Sequence, residues 1–317
     1  MMPKSVRNKA PIKKTAPAPS LQPIDTSVWK AIPVKVGHLE RVHLCLVGVG
    51  GSGSWLAPAV ARTALQLHEQ GVETQVTLVD PDSIERSNIF RQNFSAAEIG
   101  RNKAESLAMR LSAAWGLEIH AQPVPFRSSM VSEVYGRFTV VIGCVDNAAA
   151  RQTMAETVDQ GGWWDTRREA EPARHWWLDL GNSRRSGQVL IGSTLRPERL
   201  KRAFPLPDRC GALPAPRLQH PELLIPKPEE LNSAETGLSC EEMAARNAQS
   251  LIVNQMIAAI GADYLVQLVL SQSLIAYATY FDLATMSMRS KYVTPEALEV
   301  FATPRRKSRK KTEPHPR

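Results

Sequence analysis

Long hydrophobic runs are missing from this chain of 317 residues. No apolar run reaches the roughly 18 residues that a membrane-spanning helix needs, and the N-terminus has no apolar core of a secretory signal. No internal repeat is visible in the sequence. We therefore expect a cytoplasmic protein that makes no membrane contact.

Cysteine is also scarce, with four residues in the whole chain. Two of them, Cys45 and Cys144, fall within predicted strands and are expected to be inert packing residues. Four scattered cysteines do not make the framework of a disulfide-stabilised fold. The chain is instead long enough to bury one sizeable α/β core with appendages.

The net charge of +8 lies in the two ends of the chain. Residues 1–30 contain six Lys or Arg and one Asp, and residues 304–317 contain seven Lys or Arg and one Glu. The 26 basic and 29 acidic residues between them leave residues 31–303 slightly acidic. We expect two disordered basic tails, the first rich in proline, and a weak, salt-sensitive contact with nucleic acid is an open alternative for them.

A glycine-rich turn links the first clear strand of the chain to a helix. The apolar residues 44–47 precede the turn, whose glycines are Gly48, Gly50, Gly51 and Gly53. A second apolar run, residues 76–79, ends at Asp80. This order predicts a βαβ unit with an acidic residue at the tip of its second strand.

Such a unit is typical of a nucleotide site. Glycines let a phosphate approach the backbone, and the first turn of the helix offers unpaired N–H groups and a partial positive charge. The Asp80 carboxylate is placed to accept hydrogen bonds from ribose hydroxyls. The pattern serves NAD, FAD and S-adenosylmethionine enzymes as well as ATP users, and a structural turn without ligand has a similar sequence.

A polar cluster directly after the second strand helps to distinguish among these classes of nucleotide-binding protein. It contains Asp82, Ser87, Asn88, Arg91 and Gln92. Two more motifs follow downstream, Gly100-Arg-Asn-Lys103 at a predicted helix start and Cys144-Val-Asp146-Asn147 after the apolar residues 140–143. With their order and spacing, these motifs resemble the ThiF/MoeB/HesA (E1-like, ubiquitin-activating) family. The long predicted helix behind this core, which starts with residues 239–255, looks most like that of the family's plasmid-associated PRTRC-system subgroup.

The resemblance implies an ATP-dependent adenylyltransferase. Such an enzyme activates the C-terminal carboxylate of a small ubiquitin-like or sulfur-carrier-like protein as an acyl-adenylate. It implies that Arg91 and Lys103 contact the phosphates, that Asn88 lies in the phosphate or metal region, and that Asp80 binds the ribose. Asp146 would hold Mg²⁺, although capping the next helix is an alternative role for Asp146 and Asn147. The remaining residues of the implied nucleotide site are Gly48, Gly50, Gly51, Gly53, Asp82, Gln92 and Asn147.

The pattern of elements predicts an α/β fold with a Rossmann-like doubly wound sheet, mostly parallel, with antiparallel C-terminal strands. After the βαβ unit we expect a helix from Ser95 to about Trp115, strands at 118–124 and 139–145, and a hairpin at 177–192. The adenylation domain would cover residues 31–303, with a crossover loop at 197–238 and a closing strand or hairpin at 280–293. Residues 25–40 are a lead-in, read as a strand on the domain edge.

Cys240 is the one cysteine with a candidate chemical role. Residues 239–242 fit a capping box, which would place Cys240 in the first turn of a helix running to about Ser271. A helix N-terminus favours the nucleophilic thiolate that a thioester requires, whereas Glu241 and Glu242 oppose it. Relatives carry two Cys-x-x-Cys pairs for zinc in this region, and here only Cys210 and Cys240 are present, so zinc is not expected.

The sequence therefore predicts an adenylating enzyme that uses ATP and Mg²⁺ and forms a homodimer, as relatives do. Two alternatives stay open. An NAD(P)-dependent oxidoreductase would tolerate the loss of Arg91 and Lys103. A non-catalytic nucleotide-binding scaffold in plasmid maintenance would bind ATP without turning it over.

Overall fold

The computed structural model describes residues 25–131, 134, 136–159, 172–226 and 251–303. Some predicted features lie outside the described residues: Cys240 and its helix start, residues 227–238 of the crossover, and residues 1–24 and 304–317 of the tails.

One sheet of eight strands runs through the described fold. The strands are β1 Arg41–Val47, β2 Glu73–Val79, β3 Ile119–Gln122, β4 Arg137–Gly143, β5 His175–Asn182, β6 Ser186–Gly192, β7 Ala276–Asp282 and β8 Ser287–Tyr292. Their order across the sheet is β3-β2-β1-β4-β5-β6-β7-β8. The first five pair in parallel, and β6, β7 and β8 continue the sheet antiparallel. This topology confirms the predicted fold class.

Helices cover both faces of the sheet, as a doubly wound fold requires. They are α1 Gly51–Glu69, α2 Lys103–Trp115, α3 Ala148–Asp159, α4 Pro197–Lys201, α5 Pro216–Gln219, α6 Leu251–Val269 and α7 Pro295–Ala302. Because strand side chains alternate, Leu44 and Leu46 of β1 join the larger core under α1, α2 and α6. Cys45 and Val47 face the smaller core, which includes Met154 of α3.

The predicted helix from Ser95 was wrong at its start. The capping box of Ser95 and Glu98 is present, but it begins only a 3₁₀ turn, Ala96–Glu98. Gly100 then adopts a left-handed conformation, with φ of +87°, which breaks the helix. Helix α2 begins at Lys103, and the Asn102 side chain caps it by accepting hydrogen bonds from the N–H groups of Ala104 and Glu105.

Four other features of the structure differ from the predictions. Strand β3 has four residues and alternates between buried and exposed positions, because it is the edge strand rather than a buried one. The lead-in forms a 3₁₀ turn and single bridges at Val34 in place of a strand. The crossover is not wholly irregular, since α4 and α5 form at prolines in their first turns. Helix α7, capped by Thr294, was not predicted.

Helix α6 is long and apolar enough to cross a membrane by length and composition alone. Half of its residues are buried inside the fold, where it packs against α1, β5 and β6. Its fully buried polar residue Asn254 makes hydrogen bonds within the protein. These contacts fit a core helix.

A buried ion pair joins α3 to the sheet. Arg151 Nε donates to Asp179 Oδ1 across 3.0 Å, and both side chains are almost wholly inaccessible to solvent. Burial raises the pKa of Asp179, and the Arg151 guanidinium opposes that shift. The pair therefore fixes α3 over β5 at the level where β4 ends, since Asp179 pairs with Gly143.

Two buried histidines lie at the opposite end of the parallel strands from the glycine turn. His43 of β1 and His175 of β5 flank Thr139 of β4 in one row across the sheet. Burial, together with the charge of Arg137, lowers the pKa of each histidine to about 4. Both are therefore neutral in the folded protein at neutral pH.

We expect the free energy of unfolding to fall as the pH drops from about 6.5 towards 4, because the unfolded chain then binds protons that folded His43 and His175 do not. Buried Asp80 and Asp179, whose pKa values are raised, act in the opposite direction. Urea unfolding of the wild type and of His43→Gln at pH 7 and pH 5.5 separates these effects. Between pH 7 and pH 5.5, the variant should lose about 1 kcal/mol less of its free energy of unfolding than the wild type. Equal losses would contradict the conclusion that folded His43 stays neutral.

The packing of the crossover against β6 can be tested at Gly192, the last residue of that strand. A Cβ added to Gly192 would overlap the carbonyl group of Pro214, whereas a Cβ on Gly181 of β5 would meet side chains at ordinary contact distances of 3.4 Å or more. Gly192→Ala should therefore lower the free energy of unfolding by about 2 to 3 kcal/mol. Gly181→Ala is the matched control and should change it by less than about 1 kcal/mol. Similar values for both variants would show that the crossover does not pack tightly on β6.

Candidate functional site

The glycine turn lies at the carboxyl ends of β1 and β4, where the strand order reverses and doubly wound folds bind ligands. Gly48 has φ of +80°, and a Cβ on it would lie 2.8 Å from the carbonyl oxygen of Cys144. A Cβ on Gly53 would overlap the carbonyl oxygen of Gly48. Glycine is therefore required at both positions for α1 to pack closely on the turn.

The N-terminus of α1 opens onto this turn. The helix begins at Gly51, and its N-cap is Gly50, which has no side chain to satisfy the first N–H groups. Unpaired N–H groups and the helix dipole together form a site for an anion such as a phosphate.

The Asp80 carboxylate shapes the turn from the tip of β2. Its Oδ2 accepts a hydrogen bond from the N–H of Val49 at 2.8 Å, and its Oδ1 accepts one from the N–H of Asp82 at 2.9 Å. The side chain is 5% exposed, and burial raises its pKa, opposed mainly by the charge of Lys103. Asp80 thus joins β2 to the glycine turn, and ribose binding stays a prediction.

Lys103 and Asp82 form an ion pair beside Asp80. Lys103 Nζ lies 2.8 Å from Asp82 Oδ2, and the lysine side chain is 9% exposed whereas that of Asp82 is 64% exposed. Asn102 Nδ2 donates to the carbonyl oxygens of both Asp80 and Asp82, at 2.9 and 3.0 Å. The motif around Lys103 is therefore bound to the tip of β2, and its ammonium is held at the candidate nucleotide site.

The segment after β2 carries Asn88, Arg91 and Gln92. Asn88 is buried, and its Oδ1 accepts the N–H of Glu85 at 3.1 Å, so it holds the segment in its 3₁₀ turn. The amide of Gln92 lies 3.7 to 4.0 Å from the position of a Cβ on Gly50. Its Oε1 is buried without a hydrogen-bond partner among the described residues. A buried acceptor beside the glycine turn suits a ligand that donates a hydrogen bond.

This segment is fixed onto α1 through its backbone. The carbonyl oxygen of Arg91 accepts hydrogen bonds from Trp55 Nε1 and from Asn254 Nδ2, both at 3.1 Å. The N–H of Asn93 donates to Ser54 Oγ at 2.9 Å. The Arg91 side chain remains partly exposed. The backbone of Arg91 is therefore held from both sides.

Asp146 and Asn147, which follow the end of β4, have different environments. The Oδ1 of Asn147 accepts the N–H of Ala150 at 2.8 Å and so caps α3, which is the alternative role considered for this pair. Asp146 is exposed. Cys144 lies just before them, and burial raises the pKa of its thiol to about 12, as it does for Cys45. Neither thiol is poised to react, in line with the prediction.

The residues available for a metal fit Mg²⁺ bound together with a nucleotide. Mg²⁺ is commonly held by one or two carboxylates and by phosphate oxygens, and exposed Asp146 can supply such a carboxylate. Among the described residues no three His, Cys, Asp or Glu side chains form a metal-binding group of their own. Cys210 is buried, and its Sγ donates to the carbonyl oxygen of Ala212.

The structure thus brings most predicted site residues to one edge of the sheet. Asp80, Asp82 and Lys103 form one bonded group with the glycine turn, and Arg91 is fixed on α1 beside it. Within the described part of the chain, no hydrogen bond or ion pair joins Arg91, Lys103 and Asp146. Sequence reasoning missed the contributions of Asn102, Trp55 and Asn254. Of these, only Asn102 had a local signal, as a favoured N-cap residue.

Solved structures with similar folds are distant. A crystal structure of E. coli MccB with ATP matches 81% of this chain and 65% of its own, with a TM-score of 0.47 and 15% identity. A crystal structure of PaaA matches 80% and 65%, with a TM-score of 0.46 and 16% identity.

Sequence relatives match the part of the chain that holds the site. The tRNA threonylcarbamoyladenosine dehydratase of Haemophilus influenzae is 34% identical over 80 residues, 25% of this chain and 28% of that protein. The adenylyltransferase and sulfurtransferase uba4 of Aspergillus clavatus is 32% identical over 124 residues, 38% of this chain and 23% of that protein. Ubiquitin-like modifier-activating enzyme 7 of Homo sapiens is 35% identical over 126 residues, 37% of this chain and 12% of that protein.

The chain thus spans less than a third of the length of each of these relatives. The ThiF family model matches residues 29–162, which include the glycine turn, Asp80, Arg91, Lys103 and Asp146. Through this segment, the chain is similar to the ThiF family.

Proposed function

We propose that the protein is an ATP-dependent adenylyltransferase that activates the C-terminal carboxylate of a small ubiquitin-like or sulfur-carrier-like protein. The observation that carries the proposal is the bonded group of Asp80, Asp82 and Lys103 against the glycine turn. It lies at the strand-order reversal, within the segment that matches the ThiF family. Two of the relatives are named for adenylyl transfer or for activation of ubiquitin-like modifiers, which supports the substrate class.

The reaction follows from the charges at the site. A carboxylate oxygen of the partner attacks the α-phosphorus of ATP, the bond from that phosphorus to the bridging oxygen breaks, and pyrophosphate leaves with the electron pair. The amide groups at the start of α1, together with Lys103 and Arg91, stabilise the phosphate charge. Asp80 orients the ribose. The protein mainly positions the reactants and stabilises charge, because phosphoryl-type transfers ask for little covalent chemistry from the enzyme.

Asp146 is the residue proposed to hold Mg²⁺. When bound, this ion neutralises phosphate charge and stabilises the leaving pyrophosphate. Asn147 caps α3 and so keeps Asp146 at the edge of the sheet next to the glycine turn. Asn88 keeps the adjoining segment in place, and Gln92 offers the ligand a buried acceptor.

Further parts of the proposal rest on the resemblance and on the sequence. The protein acts as a cytoplasmic homodimer of the PRTRC-system subgroup, and Cys240 forms a thioester with the activated partner. The basic tails make weak contacts with nucleic acid, because their positive charge is separate from the slightly acidic folded part. In the alternative proposal, a non-catalytic scaffold, the protein has the same nucleotide site and binds ATP but does not turn it over.

Exchange of pyrophosphate into ATP tests the proposed reaction. With Mg²⁺ and a cognate ubiquitin-like protein, the wild type should catalyse exchange, and Asp146→Asn should lower its rate by about 100-fold because a metal ligand is lost. Asp208→Asn is the matched control, since Asp208 is an exposed carboxylate paired with Lys35 away from the turn. It should exchange like the wild type.

Equal rates for Asp146→Asn and the wild type would contradict the assigned role of Asp146. Tight ATP binding without exchange, for every small partner protein encoded nearby, would favour the scaffold. A chain that binds NAD(P) but not ATP would be an oxidoreductase, and the adenylyltransferase proposal would fall.

A further inference from the structure

Asn254 links the candidate nucleotide site to the far half of the sheet. Its side chain is fully buried on α6, 163 residues from Arg91 in sequence. Its Nδ2 donates to the carbonyl oxygen of Arg91 at 3.1 Å, and its Oδ1 accepts from Asn182 Nδ2 at 2.7 Å. One amide therefore bonds the Arg91 backbone on one side and the end of β5 on the other.

The carbonyl oxygen of Arg91 is held by two donors. Trp55 Nε1 of α1 also donates to it at 3.1 Å, so both of its lone pairs are occupied. A carbonyl fixed by two helices cannot rotate without losing two hydrogen bonds. The direction in which the Arg91 side chain leaves the backbone is consequently set by α1 and α6 together.

The position of Asn254 is itself fixed by the packing of α6 on β5. Gly261 lies two turns after Asn254, on the same face of the helix. A Cβ on Gly261 would lie 2.7 Å from Leu180 Cδ2, so the helix approaches β5 closely there. Leu180 and Asn182 are two residues apart and point to the same face of the strand. Helix α6 thus meets β5 at two points, which prevents Asn254 from sliding along the sheet.

We propose that Asn254 is a positioning residue for ATP, which aims the Arg91 guanidinium at the phosphates by fixing the Arg91 backbone. This inference rests on the proposed function and adds a residue from outside the segment that matches the ThiF family.

The test is a double-mutant cycle on ATP affinity, measured by titration calorimetry with Mg²⁺ on the full chain. Asn254→Leu removes the donor to Arg91 and should weaken ATP binding by about 3- to 10-fold, the effect of one hydrogen bond. Arg91→Ala should weaken it at least as much. If Asn254 acts through Arg91, the double variant should bind ATP within about twofold of Arg91→Ala alone.

Asn182→Ala is the matched control. It removes the β5 side of the Asn254 contact and leaves the bond to Arg91 in place, so its ATP affinity should stay within about twofold of the wild type. Asn254→Ala removes the same donor with a smaller side chain and serves if the leucine variant does not fold. Thermal unfolding of each variant reports its stability separately.

Three results would overturn the inference. The first is an ATP affinity of Asn254→Leu equal to that of the wild type. The second is a double variant whose loss of affinity is the product of the losses in the two single variants, as expected if Asn254 has a structural role that is independent of Arg91. Arg91→Ala could bind ATP like the wild type, which would refute the positioning role and leave the proposed adenylyl transfer standing. A wild-type chain that binds no ATP would refute the proposed function together with the inference.

Discussion

The buried carboxylate of Asp80 is the interaction on which the site depends. It joins the tip of β2, the glycine turn at Val49 and the segment of Asp82 through two hydrogen bonds. Burial disfavours its charge, and the Lys103 ammonium together with the two N–H groups offsets this only in part, since its pKa stays raised. The glycine turn is therefore built around the negative charge of Asp80, which the Lys103 ammonium balances. A phosphate held by α1 would lie close to the same ammonium.

The rest of the molecule makes this arrangement rigid. Helix α6 packs on α1 and on β5 and β6, so the parallel and antiparallel halves share one core. On the other face, the Arg151–Asp179 pair and the close packing of Met154 against Gly143 hold α3 on the strands that end beside the glycine turn. The family match stops at residue 162, before β5, yet the segment of Arg91 is held by Asn254 from beyond it. The site is thus completed by residues that the family motif does not include.

Sequence patterns predicted the structural features that depend only on residues close to one another in the sequence. The glycine turn, the strand ends at Val47 and Val79, and the hairpin of β5 and β6 follow from local apolar periodicity and turn residues. The strand predicted at 139–145 instead runs from Arg137 to Gly143. The Ser95 capping box was read correctly as a motif and wrongly as the start of α2, because Gly100 reverses the backbone before the helix begins. The roles of Trp55 and Asn254 had no local signal, since each contacts Arg91 only after distant segments fold together.

The most direct test of the account is the ATP affinity of Asp80→Asn, measured by titration calorimetry alongside its urea unfolding. An asparagine keeps the size of the side chain and has only one acceptor oxygen, so the turn loses one of its two hydrogen bonds. We expect ATP affinity to fall by at least about tenfold. The free energy of unfolding should change by less than about 1 kcal/mol, because the buried charge is removed with the bond. Unchanged ATP affinity in a folded variant would contradict the claim that this carboxylate builds the nucleotide site.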